Sequence, residues 1–246
     1  MIQNADKCGN HLLDAADDSL KEFILERMET VSLDLKDVCY EANKPIRNIY
    51  FPTKGVISWV QKAGEDKFVE VATVGNEGFV GVPVLLGADR TPGTSFAQIP
   101  GGAIKISIKD FHESLATFPE LLSILQRYVQ ALLVQIAQGN ACNSSHPVEE
   151  RCARWLLASH DRMGQPSFFL TQEFLAQMLG VRRSGVNPVA RKFQNAGIIR
   201  YARGDMTILD RAALEARSCI CYGIVRDEFR RMLRDIKKVD NHQASR

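Results

Sequence analysis

Apolar residues recur at three- and four-residue steps through FPELLSILQRYVQALLVQIAQG, with Phe118, Leu122, Leu125, Val129, Leu132 and Ile136 on one line. That is about three heptads of seam, which predicts a long helix able to pair with a second helix. Packing on the chain's own β domain is the alternative, and the two uses are compatible. Upstream the pattern shortens. IRNIYFPTKGVISWV, KFVEVATVG, GFVGVPVLLG and SFAQIPGGAIKISI are runs rich in β-branched and aromatic residues, broken by Gly, Pro and Asp. They predict short strands in a compact antiparallel sandwich or barrel. Residues 11–30 read as a short amphipathic helical lead.

Downstream, Asn140 to Pro147 reads as a polar break. VEERCARWLLASHDRM then resumes a helical period with Ala153, Leu156 and Leu157 inward, and Gly164, Gln165 and Pro166 end it. Thr171 is placed to cap QEFLAQML, and Gly180 closes that helix where a left-handed residue is cheap. The next helix starts at Arg182 or Arg183 and carries Val186, Val189, Ala190 and Phe193. IIRYARGDMTIL reads as a two-stranded ribbon turned at Gly204 and Asp205. Helix, helix, tight turn, helix, ribbon is the order of a winged helix-turn-helix. The fold class expected is therefore α+β. An antiparallel β-roll spans residues 1–113, a dimerisation helix and linker 114–145, and a winged helix-turn-helix 146–215. A helical extension, 216–246, packs back through Ile224, Val225, Phe229 and Met232.

Charge sharpens this division. The net charge is only +2, but residues 1–145 carry 13 Lys and Arg against 18 Asp and Glu, while residues 146–246 carry 18 against 11. Such asymmetry suits a polyanion-binding C-terminal unit. The start has no long apolar run, so no signal peptide is expected, and no stretch is long enough to span a membrane. Cys8, Cys39, Cys142, Cys152, Cys219 and Cys221 are scattered rather than framed, which fits a reducing, cytoplasmic setting.

In a helix-turn-helix the second helix lies in the major groove with its N-terminal residues toward base edges. Arg182, Arg183 and Ser184 stand at that end here. Arginine can address guanine with two hydrogen bonds, and a serine hydroxyl can donate or accept. Thr171 and Gln172, at the start of the first helix, are placed to meet a phosphate. Asn187, Arg191 and Lys192 follow on the second helix, and Arg200, Tyr201 and Arg203 put positive and aromatic groups on the wing. Pro188 is the exception: inside the recognition helix it removes a backbone hydrogen bond and predicts a late start or a kink.

Over nearly its whole length the chain resembles the Crp/Fnr family of bacterial transcriptional regulators. The resemblance rests on VGNEGFVGVPVLLG, on the long linker helix with HPVEERCARWLL, and most specifically on TQEFLAQMLGVRRSGVNPVARKFQNAGII. It implies a cyclic-nucleotide-binding-like jelly roll, a homodimer built on the long helix, and a winged helix that binds double-stranded DNA at a roughly two-fold operator. RNA polymerase and an unidentified small-molecule effector are further candidate partners. By position, Arg183 and Ser184 match the family's base-contacting pair, with serine where an acidic residue is common.

The sensor departs from the nucleotide-binding members. Gly81, Val82 and Pro83 stand where a Gly-Glu turn would hold the ribose, and Pro92 falls near the expected phosphate-binding arginine, with Arg90 two places away. A cyclic nucleotide would leave polar groups poorly paired, so it is not the expected effector. Iron–sulfur sensing needs a tight cysteine group, and Cys8 and Cys39 are far apart. Cys219 and Cys221 form a CxC read as helical, where thiols two residues apart diverge and chelate poorly, so buried structural thiols are expected, with redox sensitivity or metal binding as the alternatives. His11, His112, His146 and His160 lack metal-ligand spacing, and His146 with Glu149 is expected to cap or orient the second domain's first helix. No metal, cofactor or catalytic residue is expected: GxSxG, P-loop, dinucleotide and HExxH patterns are missing. Two rival readings stay open. One is a β-roll that binds a small molecule, and the other is a protein-interaction dimer whose DNA recognition Pro188 has disabled.

Overall fold

The computed structural model describes residues 8–65 and 68–243, and beyond Ile236 the backbone alone. Two short helices, α1 (His11–Asp14) and α2 (Asp18–Leu25), open it. Each begins where an Asn or Asp side chain accepts first-turn N–H groups, Asn10 for α1 and Asp17 for α2. The single lead helix expected to residue 30 is therefore broken and shorter, and its end is the strand β1 (Met28–Leu33).

Strands β2 (Val38–Tyr40), β3 (Asn48–Pro52), β4 (Val56–Lys62) and β5 (Phe68–Val74) follow. After the short helix α3 (Val82–Leu85) come β6 (Thr94–Ile99) and β7 (Gly101–Ser107). They form two antiparallel sheets, β1-β7-β3 and β2-β6-β4-β5, packed as a roll. The strand expected in GFVGVPVLLG is reduced to one bridge, Tyr50 with Val80. Gly81 then turns the chain into α3, whose first turn holds Pro83. A proline has no N–H to offer a ladder and suits the first turn of a helix.

Helix α4 (Ile108–Thr117) and helix α5 (Pro119–Ser145) are separated at Phe118, which is held out of the helical region by the proline after it. Helix α5 runs through most of the expected polar break. The interruption is confined to His146 and Pro147, again the residue before a proline and the proline itself. One face of α5, with Leu121, Leu125, Tyr128, Ala131 and Leu132, closes the roll.

The second unit holds α6 (Val148–Met163), β8 (Ser167–Phe169), α7 (Gln172–Met178), α8 (Arg183–Asn195), β9 (Ile199–Ala202), β10 (Asp205–Ile208) and α9 (Arg211–Ala216). Its core gathers Leu156, Leu157, Leu175, Val186, Phe193 and Met206. The ribbon β9–β10 gains β8 as a third strand, in the order β8-β10-β9. Helix α10 (Ile220–Gln243) then returns to the first unit. There Phe229, Met232 and Ile236 join the core against α5, with the Phe229 ring 6.3 Å from that of Tyr128. Val225 is half-buried, whereas Ile224 faces solvent.

Candidate nucleic-acid interface

Local chemistry sets the angle between α7 and α8. The Thr171 hydroxyl accepts the N–H of Phe174 at 3.1 Å and starts α7. At the other end the N–H groups of Gly180 and Val181 reach back to the carbonyls of Gln177 and Ala176. This is a Schellman closure, and it needs the left-handed backbone that Gly180 adopts at φ 63°. The chain then enters α8 with Arg182 as its extended N-cap.

Helix α8 is divided lengthwise. Val186, Ala190 and Phe193, at steps of four and three, are buried in the domain core. Arg182, Arg183, Ser184, Pro188 and Arg191 face solvent, and Asn187 is half-buried. The helix is continuous through Pro188, which lies on the solvent side. The expected late start is therefore not adopted: the helix begins at Arg183. The ring only removes the N–H that would have met the carbonyl of Ser184.

The other candidates divide by use. Arg200 and Arg203 are exposed on the wing, and the turn falls at Arg203 and Gly204, both at positive φ, one residue before the expected Gly204 and Asp205. Tyr201 is not a free aromatic, because its hydroxyl donates to the Leu170 carbonyl at 2.7 Å. Thr171 and Gln172 are half-buried, the first engaged as a cap. Lys192 is exposed but paired with Glu149 at 2.6 Å, and Glu149 also meets Arg217 at 3.1 Å. Those two cations hold the Glu149 carboxyl below the usual range, with the Lys192 hydrogen bond the larger cause.

Residues 150–217 match the profile of the Crp-like helix-turn-helix domain. The second unit is similar to that domain. Beyond it, the chain shares its fold with solved regulators. FixK2 from Bradyrhizobium japonicum superposes with a TM-score of 0.64 at 12% identity, over 78% of this chain and 98% of the other. TTHB099, a CRP-family transcriptional regulator from Thermus thermophilus, gives 0.63 at 18% identity, over 76% and 96%. The c-di-GMP-responsive regulator CLP of Xanthomonas campestris gives 0.62 at 17%, over 79% and 100%. No curated protein sequence matches the chain. The architecture is that of the Crp/Fnr regulators: β-roll, long helix, winged helix-turn-helix. No helix among the described residues is long and apolar enough to cross a membrane.

The Crp-like domain is clasped to the β-roll. Arg162 on α6 donates to Glu77 at 2.7 and 2.9 Å, to the Thr73 hydroxyl at 2.6 Å and to Gln135 on α5 at 3.3 Å. Trp155 on α6 donates to the Glu70 carboxyl at 3.1 Å, and Ser58 donates to it at 2.9 Å. Burial pushes the Glu70 carboxyl up to about 7 despite these donors. The Phe174 ring of α7 meets Phe96 of β6 edge-on at 6.0 Å. Beside the clasp a cavity of about 500 Å³ is lined by Glu70, Glu77, Gln135, Arg154, Trp155 and Arg226, among others. Arg90, the sequence's substitute cation for a cyclic phosphate, is exposed and held bidentate by Asp89.

The helical seam is rotated from its expected line. Leu125 and Leu132 are only 0% and 3% exposed, inside the protomer's own core, and Phe118 and Ile136 are half-buried against it. Leu122 at 38% and Leu133 at 56% stand in solvent, with Val129 half-buried between them. The free apolar strip of α5 is thus Leu122, Val129 and Leu133.

One grouping escaped the sequence reading. Cys142 and His146 at the end of α5 converge on Cys219 and Cys221. Cys219 precedes the first residue of α10 instead of lying within the helix, so the CxC thiols turn to one side. The signal available in the sequence was the C-x3-H spacing of Cys142 and His146, which puts two ligand types on one helical face. The partner pair lies more than 70 residues away in the chain.

Proposed function

We propose that this chain is a sequence-specific DNA-binding transcription regulator that acts as a homodimer. The observation that carries the reading is the division of α8: an apolar flank locked in the domain core and a solvent flank that begins with Arg182, Arg183 and Ser184. A helix held this way can enter a major groove as a rigid body. In this reading Arg183 and Ser184 address base edges, and Arg182, Asn187, Arg191 and Lys192 meet the flanking backbone. Arg200 and Arg203 bring the wing to phosphate, and Thr171 and Gln172 offer first-turn N–H groups to another. Pro188 is compatible with this use, because it lies on the exposed flank and does not interrupt the helix. The dimer forms along Leu122, Val129 and Leu133 of α5. Two-fold pairing there sets two recognition helices against half-sites about one helical turn apart.

The test is selection of bound sequences from a random duplex library by the purified chain at about 0.15 M salt, where non-specific binding is weak. Enrichment of a two-fold motif is expected. A dimeric, folded protein that enriches no motif would overturn the reading.

A further inference from the structure

The junction between α5 and the Crp-like domain carries a grouping that DNA binding does not use. Cys142 Sγ lies 3.4 Å from Cys219 Sγ, and Cys221 Sγ lies 3.5 Å from His146 Nδ1. All four ligand atoms fall within 4.8 Å of one another. An ion bound tetrahedrally, with metal–sulfur bonds of about 2.3 Å and metal–nitrogen bonds of about 2.0–2.1 Å, needs ligand–ligand edges of roughly 3.5–3.8 Å. We propose that Cys142, His146, Cys219 and Cys221 bind one Zn²⁺ ion in a closed Cys3His site that staples the end of α5 to the start of α10.

Three features favour this occupant. The donor set is soft, three thiolates and one imidazole, and four such donors around a tetrahedron select zinc over harder ions. The arrangement is too tight for a multi-iron cluster, whose protein ligands are divided among separate irons; these donor atoms all lie within 4.8 Å of one another. The environment also suits bound thiolates. Cys142, Cys219 and Cys221 are buried and form a core of their own, apart from the two main ones. The Gln138 side-chain amide donates to Cys221 Sγ at 3.1 Å, as an outer-shell donor to a metal-bound sulfur would. A simple Cys142–Cys219 disulfide would account for one of these contacts. It would leave Cys221 and His146 converged without a reason.

The balance is direct. Zn²⁺ displaces three thiol protons to solvent and leaves a site of net charge −1, with no oxidant or reductant needed. Its place gives it leverage. Arg151 of α6 donates both to the carbonyl of Asn143, beside Cys142, and to that of Leu179, at the end of α7. Arg217, two residues before Cys219, reaches Glu149 and through it Lys192 on α8. Each ligand pair is thus tied by hydrogen bonds to one helix of the helix-turn-helix. An ion at this point would hold the junction in one geometry.

The experiment uses the full-length chain, purified under reductant without chelators, and first measures its metal content. The protein is then stripped and titrated with Co²⁺, followed by Zn²⁺. One equivalent of Co²⁺ is expected, with the visible bands of tetrahedral cobalt and sulfur-to-cobalt charge transfer in the near ultraviolet, both erased by Zn²⁺. The double variant C219S/C221S should lose these bands. It should bind more weakly by more than the roughly 10–100-fold that loss of an outer-shell partner costs. C152S, altered at a buried thiol outside the group, should keep them. If circular dichroism shows the double variant unfolded, His146→Ala gives the same reading from a half-buried ligand: weakened affinity and shifted cobalt bands in a folded chain. Reduced protein that takes up no Co²⁺ would overturn the proposal. So would bands that persist without Cys219 and Cys221, or an air-formed Cys142–Cys219 disulfide in protein that binds no metal when reduced.

Discussion

Arg162 of the Crp-like domain and Glu77 of the β-roll meet at 2.7 Å with side chains only 8% and 11% exposed. Two opposite charges removed from water this completely are costly to separate, because removing one leaves the other's charge uncompensated. Glu77→Ala strands a buried guanidinium and is expected to destabilise the chain by about 3–5 kcal/mol. Replacing both partners with apolar residues should cost less than the sum of the single changes. Urea unfolding of the two single variants and the double variant checks this, and strictly additive losses would show that the pair acts as two independent side chains.

Glu70 makes the same clasp depend on pH. Its carboxyl sits at about 7 in the folded chain against an ordinary value of 4.5. A carboxyl raised by folding binds more protons in the native state between those values, so stability is lost as pH rises from about 4.5 to about 7. The expected loss is on the order of 3 kcal/mol. Glu70→Gln, which cannot ionise, should flatten the dependence of the urea midpoint on pH. A wild-type slope retained in that variant would assign the effect elsewhere.

On the DNA side, Arg183→Ala is expected to cost roughly 1–3 kcal/mol of discrimination at one base position and to relax the selected motif there. Arg191→Ala should weaken all sequences alike and lower the salt slope by about 0.9. Lys192→Ala should change that slope less, because Glu149 already neutralises the lysine. Binding isotherms at several salt concentrations separate the three. An Arg183 variant that loses affinity uniformly would move that residue to the phosphate class.

For the dimer, Leu133→Glu places a charge on the free strip of α5 and should yield a folded monomer. Leu125→Ala, at a fully buried position in the protomer's own core, should instead cost about 2–5 kcal/mol of stability. Sedimentation and thermal melts of the two variants distinguish the outcomes. A dimeric Leu133→Glu protein would place the interface off this helix.

Much of the Crp-like domain is legible in the sequence alone. Thr171 as a cap, Gly180 as a left-handed stop, and the buried line Val186, Ala190 and Phe193 are local matters of hydrogen bonding and period, written within a few residues. Pro188 is less legible, because a missing backbone hydrogen bond warns of a late start or a kink, whereas tertiary packing of the opposite flank holds the helix continuous from Arg183. The seam is open to two readings for a related reason. Heptad spacing says that a helix has an apolar line, but not whether that line meets another chain or its own β-roll.

The glycines of VGNEG show the same boundary. Their spacing reads as turns, yet a Cβ at Gly75 would strike the Arg162 side chain, and one at Gly78 would strike the Tyr128 ring. Those neighbours come from α6 and α5, far along the chain. By itself the sequence determined the order of elements, the helix caps and the basic flank of α8, because period, capping and charge act over one or two turns. Tertiary structure alone decided which face of α5 stays free, where Arg162 finds its carboxylate, and that Cys142 and His146 meet Cys219 and Cys221. Each of these is a contact between segments whose separation along the chain leaves no local pattern to read.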